Sequence, residues 1–410
     1  MSLLRQANFR KFWIGETISL FGDQITLIAL PLAGVLVLDA NAAEMGYLGA
    51  ALLMPHLLFS LPAGVWLERV ASRRHVMILC DVGRGLLLAS VPLTHAFDSL
   101  TFAQLYLVAF GTGTLTVLFD ISYATLYVAI VARTEYIEAN SLINGSRSFA
   151  YIGGPSVGGG LVQALTAPLT LLVDSVSFIA SAFFLGRLHA PEPPLEHRQT
   201  RVRDDVREGL SFVFHHPILR PSLLGVATLN LFNFAFWALF LLYATQELGI
   251  RPATLGLVLG AGAVGGLIGA VVAGRIGRRI GIGRAYLLGM VLFPAPLILV
   301  PAAGGPKPLV LGILFVSEFL SGLGVMILDI NAGAFQTALT PDRLRARSTG
   351  AFRFVNYGVR PLGALLGGAL GSAMGVRSAL WLSSIAALAG ILWMLPSPLP
   401  RMRELPETAE

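Results

Sequence analysis

The sequence predicts an all-α integral membrane protein with twelve spans in two pseudo-symmetric six-helix bundles. Three observations carry this: recurrent apolar runs, a one-sided distribution of basic residues, and an internal shift of 206 residues that superposes the two halves. Of 410 residues, 55% are hydrophobic and 13% charged, against roughly a quarter charged in soluble domains; mean hydropathy is +0.73. Apolar stretches of about 20 residues, enough for a helix to cross ~30 Å of hydrocarbon, fall at 12–38, 45–67, 76–96, 101–131, 141–166, 169–188, 220–247, 253–273, 284–303, 308–338, 347–374 and 377–396. A spanning barrel would need short segments of alternating polarity. These runs are continuous and rich in Leu, Ala, Gly and Val, which leaves helices as the way to satisfy the backbone in lipid.

The opening "MSLLRQANFRKFW" places Arg5, Arg10 and Lys11 before the first span, with no small-residue cleavage site, so that span is expected to be retained. Of the 29 Lys and Arg, 24 fall in the two tails, in the loops after spans 2, 4, 6, 8 and 10, or in the span ends that adjoin those loops. Arg251, Lys307 and Arg377 occupy the alternate loops, and Arg84 and Arg360 lie within spans. The positive-inside bias then puts both termini in the cytoplasm, as an even number of spans requires. This sidedness accounts for the net charge of +6 without nucleic acid. The single cysteine, Cys80, excludes an intrachain disulfide framework.

The longest polar interval divides the chain into 1–188, a linker at 189–219, 220–396 and a tail at 397–410. The linker's Pro-rich start reads as irregular. Val206, Leu210, Val213 and Phe214 then give a helix with one greasy face, suited to lying on the inner leaflet or to serving as a plain connection. Under the 206-residue shift Arg69 meets Arg275, Arg73 meets Arg279, Arg147 meets Arg353, Tyr151 meets Tyr357 and Pro155 meets Pro361. One offset serving two distant loops implies two homologous halves, an architecture of transporters.

Charges inside spans are expensive, roughly 2.5–3.5 kcal/mol each at the bilayer centre on insertion scales. Asp23 lies about 20 Å along the first span at 1.5 Å per residue and has Leu229 as its counterpart, so symmetry does not explain it. Asp120 and Asp329 open similar stretches in spans 4 and 10; they fit either proton binding or pairing with Arg147 and Arg353 at an inner gate. Glu318 is deep in span 10 with no charged twin, and Glu16 reads as interfacial. His56 reads as a packing residue. Asp81 and Arg84 are three apart on one face of span 3 and form a candidate internal pair. Arg360 precedes Pro361, placed to answer Asp329 or an anionic ligand, and Asp174 reads as a cap near the start of span 6. Asn230, Asn233, Trp237, Tyr243 and Gln246 give span 7 a polar and aromatic face suited to an amphipathic solute.

The glycine runs "GGPSVGGG" and "PLGALLGGALG" lack the Lys-Ser/Thr ending and preceding strand of a phosphate loop. They suit close helix approach instead. No His-Glu-x-x-His pair, Walker lysine, Cys/His metal spacing or nucleophile elbow is present, so neither an enzyme, a cofactor nor a resident metal is expected.

"GVWLERVASRR" resembles the loop 2–3 signature of the major facilitator superfamily: Gly64, Arg69, Arg73 and Arg74 match, with Glu68 in place of Asp and Ala71 in place of the second Gly. "GPSVGG" resembles that superfamily's antiporter signature in span 5 through Gly154, Pro155, Gly158 and Gly159. "NFRKFWIGETISLFGDQI", "EANSLINGSRSFAYIGGP", "LLVDSVSFIASAFFL" and "REGLSFVFHHPILR" together resemble the bacterial branch of enterobactin-type siderophore exporters and macrolide efflux pumps. The resemblance implies that spans 1, 4, 7 and 10 line a central cavity where Asp23, Asp120, Glu318 and Asp329 converge, and that Glu68 and Arg69 latch the outward-open state. It also implies a monomeric secondary transporter in the bacterial cytoplasmic membrane, exporting a small amphipathic molecule against protons. An uptake symporter, an uncoupled facilitator and, more remotely, a membrane sensor share the fold.

Overall fold

The computed structural model describes residues 3–68, 70, 72–189 and 202–404, and the described residues form helices and turns without a strand. The first half contributes α1 (Ala7–Val37), α2 (Ala42–Glu68), α3 (Arg73–Ala96), α4 (Phe102–Ile130), α5 (Tyr136–Leu165) and α6 (Ala167–Gly186). After α7 (Val202–His215) come α8 (Leu219–Leu242), α9 (Pro252–Ile280), α10 (Ile282–Leu292), a short α11 (Leu299–Ala302), α12 (Lys307–Leu339), α13 (Arg345–Met374) and α14 (Val376–Leu388).

Ten helical segments among the described residues are long and apolar enough to cross a membrane. The two remaining expected spans, α5 and α13, form as unbroken 30-residue helices, about 45 Å long at 1.5 Å per residue. Their glycines, serines and arginines lower the apolarity without interrupting the helix. The ninth expected span does break. Pro294 and Pro296 cannot donate to the ladder, and Ala295–Ile298 tightens to a 3-10 turn between α10 and α11.

Boundaries follow local chemistry. Ser72 and Thr101 sit in extended backbone and cap α3 and α4, their hydroxyls accepting from the amides of His75 and Gln104. Single residues of positive φ join consecutive helices: Thr166 between α5 and α6, Gly281 between α9 and α10, and Gly375 between α13 and α14.

The described residues divide into two compact units. The first takes Met1–Ala40, Ala51–Gln199 and Ala244–Gly260; the second takes Asn41–Ala50, Thr200–Tyr243 and Ala261–Glu410. In the first unit α6 packs against α1 and α3, α1 against α5, and α3 against α4. An apolar core of Phe12, Leu67, Met77, Phe119, Leu126 and Leu185 fills their junction. In the second, α8 packs on α13 and α14, and α10 on α12, around Leu223, Leu229, Tyr286, Met290, Phe335 and Met394.

The linker forms a helix, α7, that has a packing partner of its own. α7 packs against α13 with Val213 fully buried, and its exposed Glu208 pairs with Arg347. Gly209 makes this possible, because a Cβ there would overlap the backbone carbonyl of Arg347. The Pro-rich start of the linker lies outside the described residues.

Candidate functional site

Arg84 is the centre of the first unit. It is 1% exposed, and a buried guanidinium is tolerable only when paired and hydrogen-bonded. Four helices supply what it needs. From its own helix α3, one turn back, Asp81 accepts a charge-assisted hydrogen bond from it. From α1, Asp23 stands 3.8 Å away. From α4, the hydroxyl of Thr116 accepts a hydrogen bond at 3.4 Å, and the ring of Phe119 lies 4.5 Å from the guanidinium carbon. From α6, Phe178 closes the arrangement at 4.1 Å, so two aromatic faces bear on one cation.

The two carboxylates differ in access. Asp81 is fully buried, whereas the Asp23 side chain is 38% exposed. Asp23 is therefore the member of the triad open to an arriving ion or solute, and Asp81 is the one that holds the arginine in place.

Asp174 is the residue that the sequence reading misplaced. α6 begins at Ala167 behind a Thr166 that makes no side-chain cap, so Asp174 sits two turns in, far from the helix end. It is fully buried. Its carboxylate accepts hydrogen bonds from Thr26 at 2.5 Å and Ser177 at 2.7 Å. Gly22 makes the room, since a Cβ there would overlap the Asp174 carboxylate and the Ser177 hydroxyl. Gly22 and Thr26 are i and i+4 on α1 and flank Asp23, so the face of α1 bearing Asp23 also receives a second acid. The available signal was positional: Asp174 and Phe178 are themselves i and i+4 on α6, one facing α1 and the other facing Arg84.

Glu16, on the inner stretch of α1, is buried. Asp120 and Asp329 are exposed in α4 and α12. Among the described residues Arg147, Arg353 and Arg360 form no close ion pair, although Arg147 still acts electrostatically on Asp120 and Arg360 on Asp329. Arg360 lies against the rings of Tyr357 at 4.2 Å and Phe234 at 5.1 Å. In α8, Asn230 donates to the side-chain oxygen of Asn356 at 3.1 Å, Asn233 is buried and Trp237 half-buried, and Tyr243, just past the helix end, is buried. Glu318 is 4% exposed with Oε1 unpartnered, its carboxyl against Gly262 of α9.

The loop 2–3 arginines have a clear structural part. Arg73 donates to the carbonyl of Leu67 and Arg74 to that of Leu188, answering carbonyls at the ends of α2 and α6. Gly64 is half-buried with open space around it. Arg69 and the Glu68 side chain lie outside the described residues. In the span 5 motif, Gly154 packs on Gln24 and Gly158 on Ile25 of α1, while Gly159 and the Pro155 carbonyl meet Pro252 and Gly256 at the start of α9. The hydroxyl of Ser156 donates to the Gly256 carbonyl at 3.3 Å.

These features define a multi-pass membrane transporter of the major facilitator type. The chain belongs to the family described as transmembrane secretion effector, whose model matches residues 1–409. It is 29% identical over 397 residues to multidrug efflux pump Tap of Mycolicibacterium fortuitum, covering 94% of this chain and 93% of that protein. It is 23% identical over 392 residues to the multi-drug resistance efflux pump PmrA homolog of Lactococcus lactis, covering 93% and 91%. Among solved structures it resembles a bacterial homologue of the iron transporter ferroportin in an inward-facing state, with TM-score 0.76, 19% identity and coverage of 97% and 99%. Nucleoside transporter NupG superposes with TM-score 0.70, 16% identity and coverage of 94% and 99%. At these identities the structures establish the shared fold.

Proposed function

We propose that the chain exports a small amphipathic molecule across the bacterial cytoplasmic membrane in exchange for protons, as a monomer with both termini in the cytoplasm. The observation that carries the coupling is the Asp23–Arg84–Asp81 centre. When Asp23 is ionised, Arg84 is shared between two carboxylates; when Asp23 takes a proton, Arg84 reverts to Asp81 alone and α1 loses an electrostatic tie to α3. An ion that arrives at the exposed carboxyl thereby changes the contact between two helices, which is what coupling requires. The family description and the names of the efflux-pump relatives support the outward direction, and the one-sided arginines support the orientation. The 1–188 and 220–396 bundles serve as the two bodies that alternate, and Asp120, Glu318 and Asp329 remain further candidates for proton or substrate contact. The Glu68–Arg69 latch is part of the same proposal.

Inverted vesicles loaded with an acidic lumen and given a fluorescent lipophilic cation test the proposal. Wild-type protein should drive the dye inward and lose that activity when the pH gradient is collapsed. Asp23→Asn should reach the membrane in normal amount and lose gradient-driven uptake. Uptake that ignores the gradient would sink proton exchange; undiminished exchange in Asp23→Asn would remove that residue from it.

A further inference from the structure

The second unit contains a basic cavity apart from the Asp23–Arg84–Asp81 centre. It has a volume of about 780 Å³ and lies between the α9–α10 turn, α12 and the chain after Leu399, with Arg278, Arg279, Arg284 and Arg403 on its walls. Among the described residues Glu404 is the one acid lining it, so their side chains carry four positive charges against one negative. All five are exposed, and among the described residues none of the four guanidinium groups forms a hydrogen bond or ion pair. Ile280 and Ile330, 39% and 40% exposed, also line the cavity, so it presents apolar surface beside the charge.

The wall is built rather than incidental. Gly281 turns the chain with φ +89°. The amides of Ile282 and Gly283 then donate to the carbonyls of Arg403 and Met402 at 3.2 and 3.0 Å. Gly283 is required for that seam, since a Cβ there would overlap the Leu399 carbonyl. Arg403 is therefore held by main-chain pairing opposite Arg279 and Arg284.

The related loop in the first unit shows what the alternative looks like. There Arg73, the counterpart of Arg279 under the 206-residue shift, and its neighbour Arg74 donate to helix-end carbonyls. Keeping a loop on one side of the membrane needs only its charge. It does not need a cavity walled by guanidinium groups that have no acceptor among the described residues.

We propose that this cavity binds the phosphate of an anionic phospholipid head group, with Arg279, Arg284 and Arg403 as its ligands and the acyl chains leaving over Ile280 and Ile330. Guanidinium groups match phosphate oxygens in charge and in bidentate geometry, and basic pockets at helix ends take such head groups. The apolar surface favours a lipid over free phosphate. With the orientation proposed above, the lipid belongs to the inner leaflet.

Native mass spectrometry of the full chain in detergent, titrated with cardiolipin, with phosphatidylethanolamine and with inorganic phosphate, tests this. Cardiolipin should be retained in preference to phosphatidylethanolamine, and inorganic phosphate should not displace it. Arg279→Gln with Arg403→Gln should lower cardiolipin occupancy about thirty-fold, each surface arginine contributing about fivefold to the attraction. Glu404→Gln should raise it about fivefold by removing the opposing charge. Arg275→Gln is the control: it removes the same charge from the same helix, but Arg275 does not line the cavity and bonds to the Val271 carbonyl. Equal loss in Arg275→Gln would reduce the effect to diffuse charge and overturn the site. Displacement by inorganic phosphate, or unchanged occupancy in both the paired arginine variant and Glu404→Gln, would overturn it as well.

Discussion

Replacing Arg84 by Gln tests the charge centre most directly. The side chain is 1% exposed, and removing it leaves Asp81 buried with no cationic partner. Breaking a buried pair by deleting one member costs about 3–5 kcal/mol, because the remaining charge stays uncompensated. Removing both charges should be milder. We therefore expect Arg84→Gln to destabilise by about 3–5 kcal/mol, and the double variant Asp81→Asn/Arg84→Gln to fall short of the sum of the singles by about 2–3 kcal/mol. Arg84→Lys separates charge from shape: it keeps the cation but loses the flat group between Phe119 and Phe178, and should cost about 1–2 kcal/mol. Reversible unfolding of the purified chain in mixed micelles gives the three free energies. Additive singles, or an Arg84→Gln variant within about 1 kcal/mol of wild type, would refute the claim that Arg84 and Asp81 compensate one another.

Three further outcomes follow from particular contacts. Gly22→Ala should destabilise by about 1–3 kcal/mol, because its methyl meets the Asp174 carboxylate and the Ser177 hydroxyl; normal abundance and unfolding would contradict the packing of α1 on α6. Glu318→Met should stabilise the fold by about 1–3 kcal/mol by removing an unpartnered buried carboxyl and should lower transport; a loss of stability would show that the carboxyl is satisfied. His216, at the α7–α8 junction, accepts the amides of Ile218 and Leu219 on Nδ1 at 3.1 and 3.2 Å, and burial holds its pKa below the ordinary 6.5. The folded state thus binds this proton less readily than the unfolded chain. Its contribution is fully present above pH ~6.5 and is lost as pH falls through the lower folded value. Hydrogen exchange at Ile218 and Leu219 should accelerate on acidification in wild type and be pH-insensitive, after correction for intrinsic rates, in His216→Asn.

Apolar length was enough to read nearly every helix, because crossing hydrocarbon imposes a requirement that composition alone reveals. The same criterion did not see the break at Pro294 and Pro296, where an apolar run continues through a change of backbone. The Asp81–Arg84 contact was legible because it is local, three residues apart on one helix. Asp174 was not. Its partners Thr26 and Gly22 lie on a helix some 150 residues earlier, and a position counted from an approximate helix start gave it the wrong role. The burial of Glu16 was not legible either, since distance along a helix says how deep a residue is, not which neighbour covers it. The expected partners of Asp120 and Asp329 were read from positions along the chain, which do not fix the directions of long side chains.

The shared clothing of Arg84 also bears on biosynthesis. α3 emerges carrying Asp81, Arg84 and only the Asp23 of an earlier helix to help it, and each such charge opposes insertion by roughly 2.5–3.5 kcal/mol. Thr116 and Phe119 arrive with α4, but Phe178 is made nearly a hundred residues after the arginine it covers. A nascent chain that stops before Ala167 thus exposes one face of a guanidinium that the finished protein never shows, a signature by which membrane quality control can distinguish an incomplete bundle from a complete one.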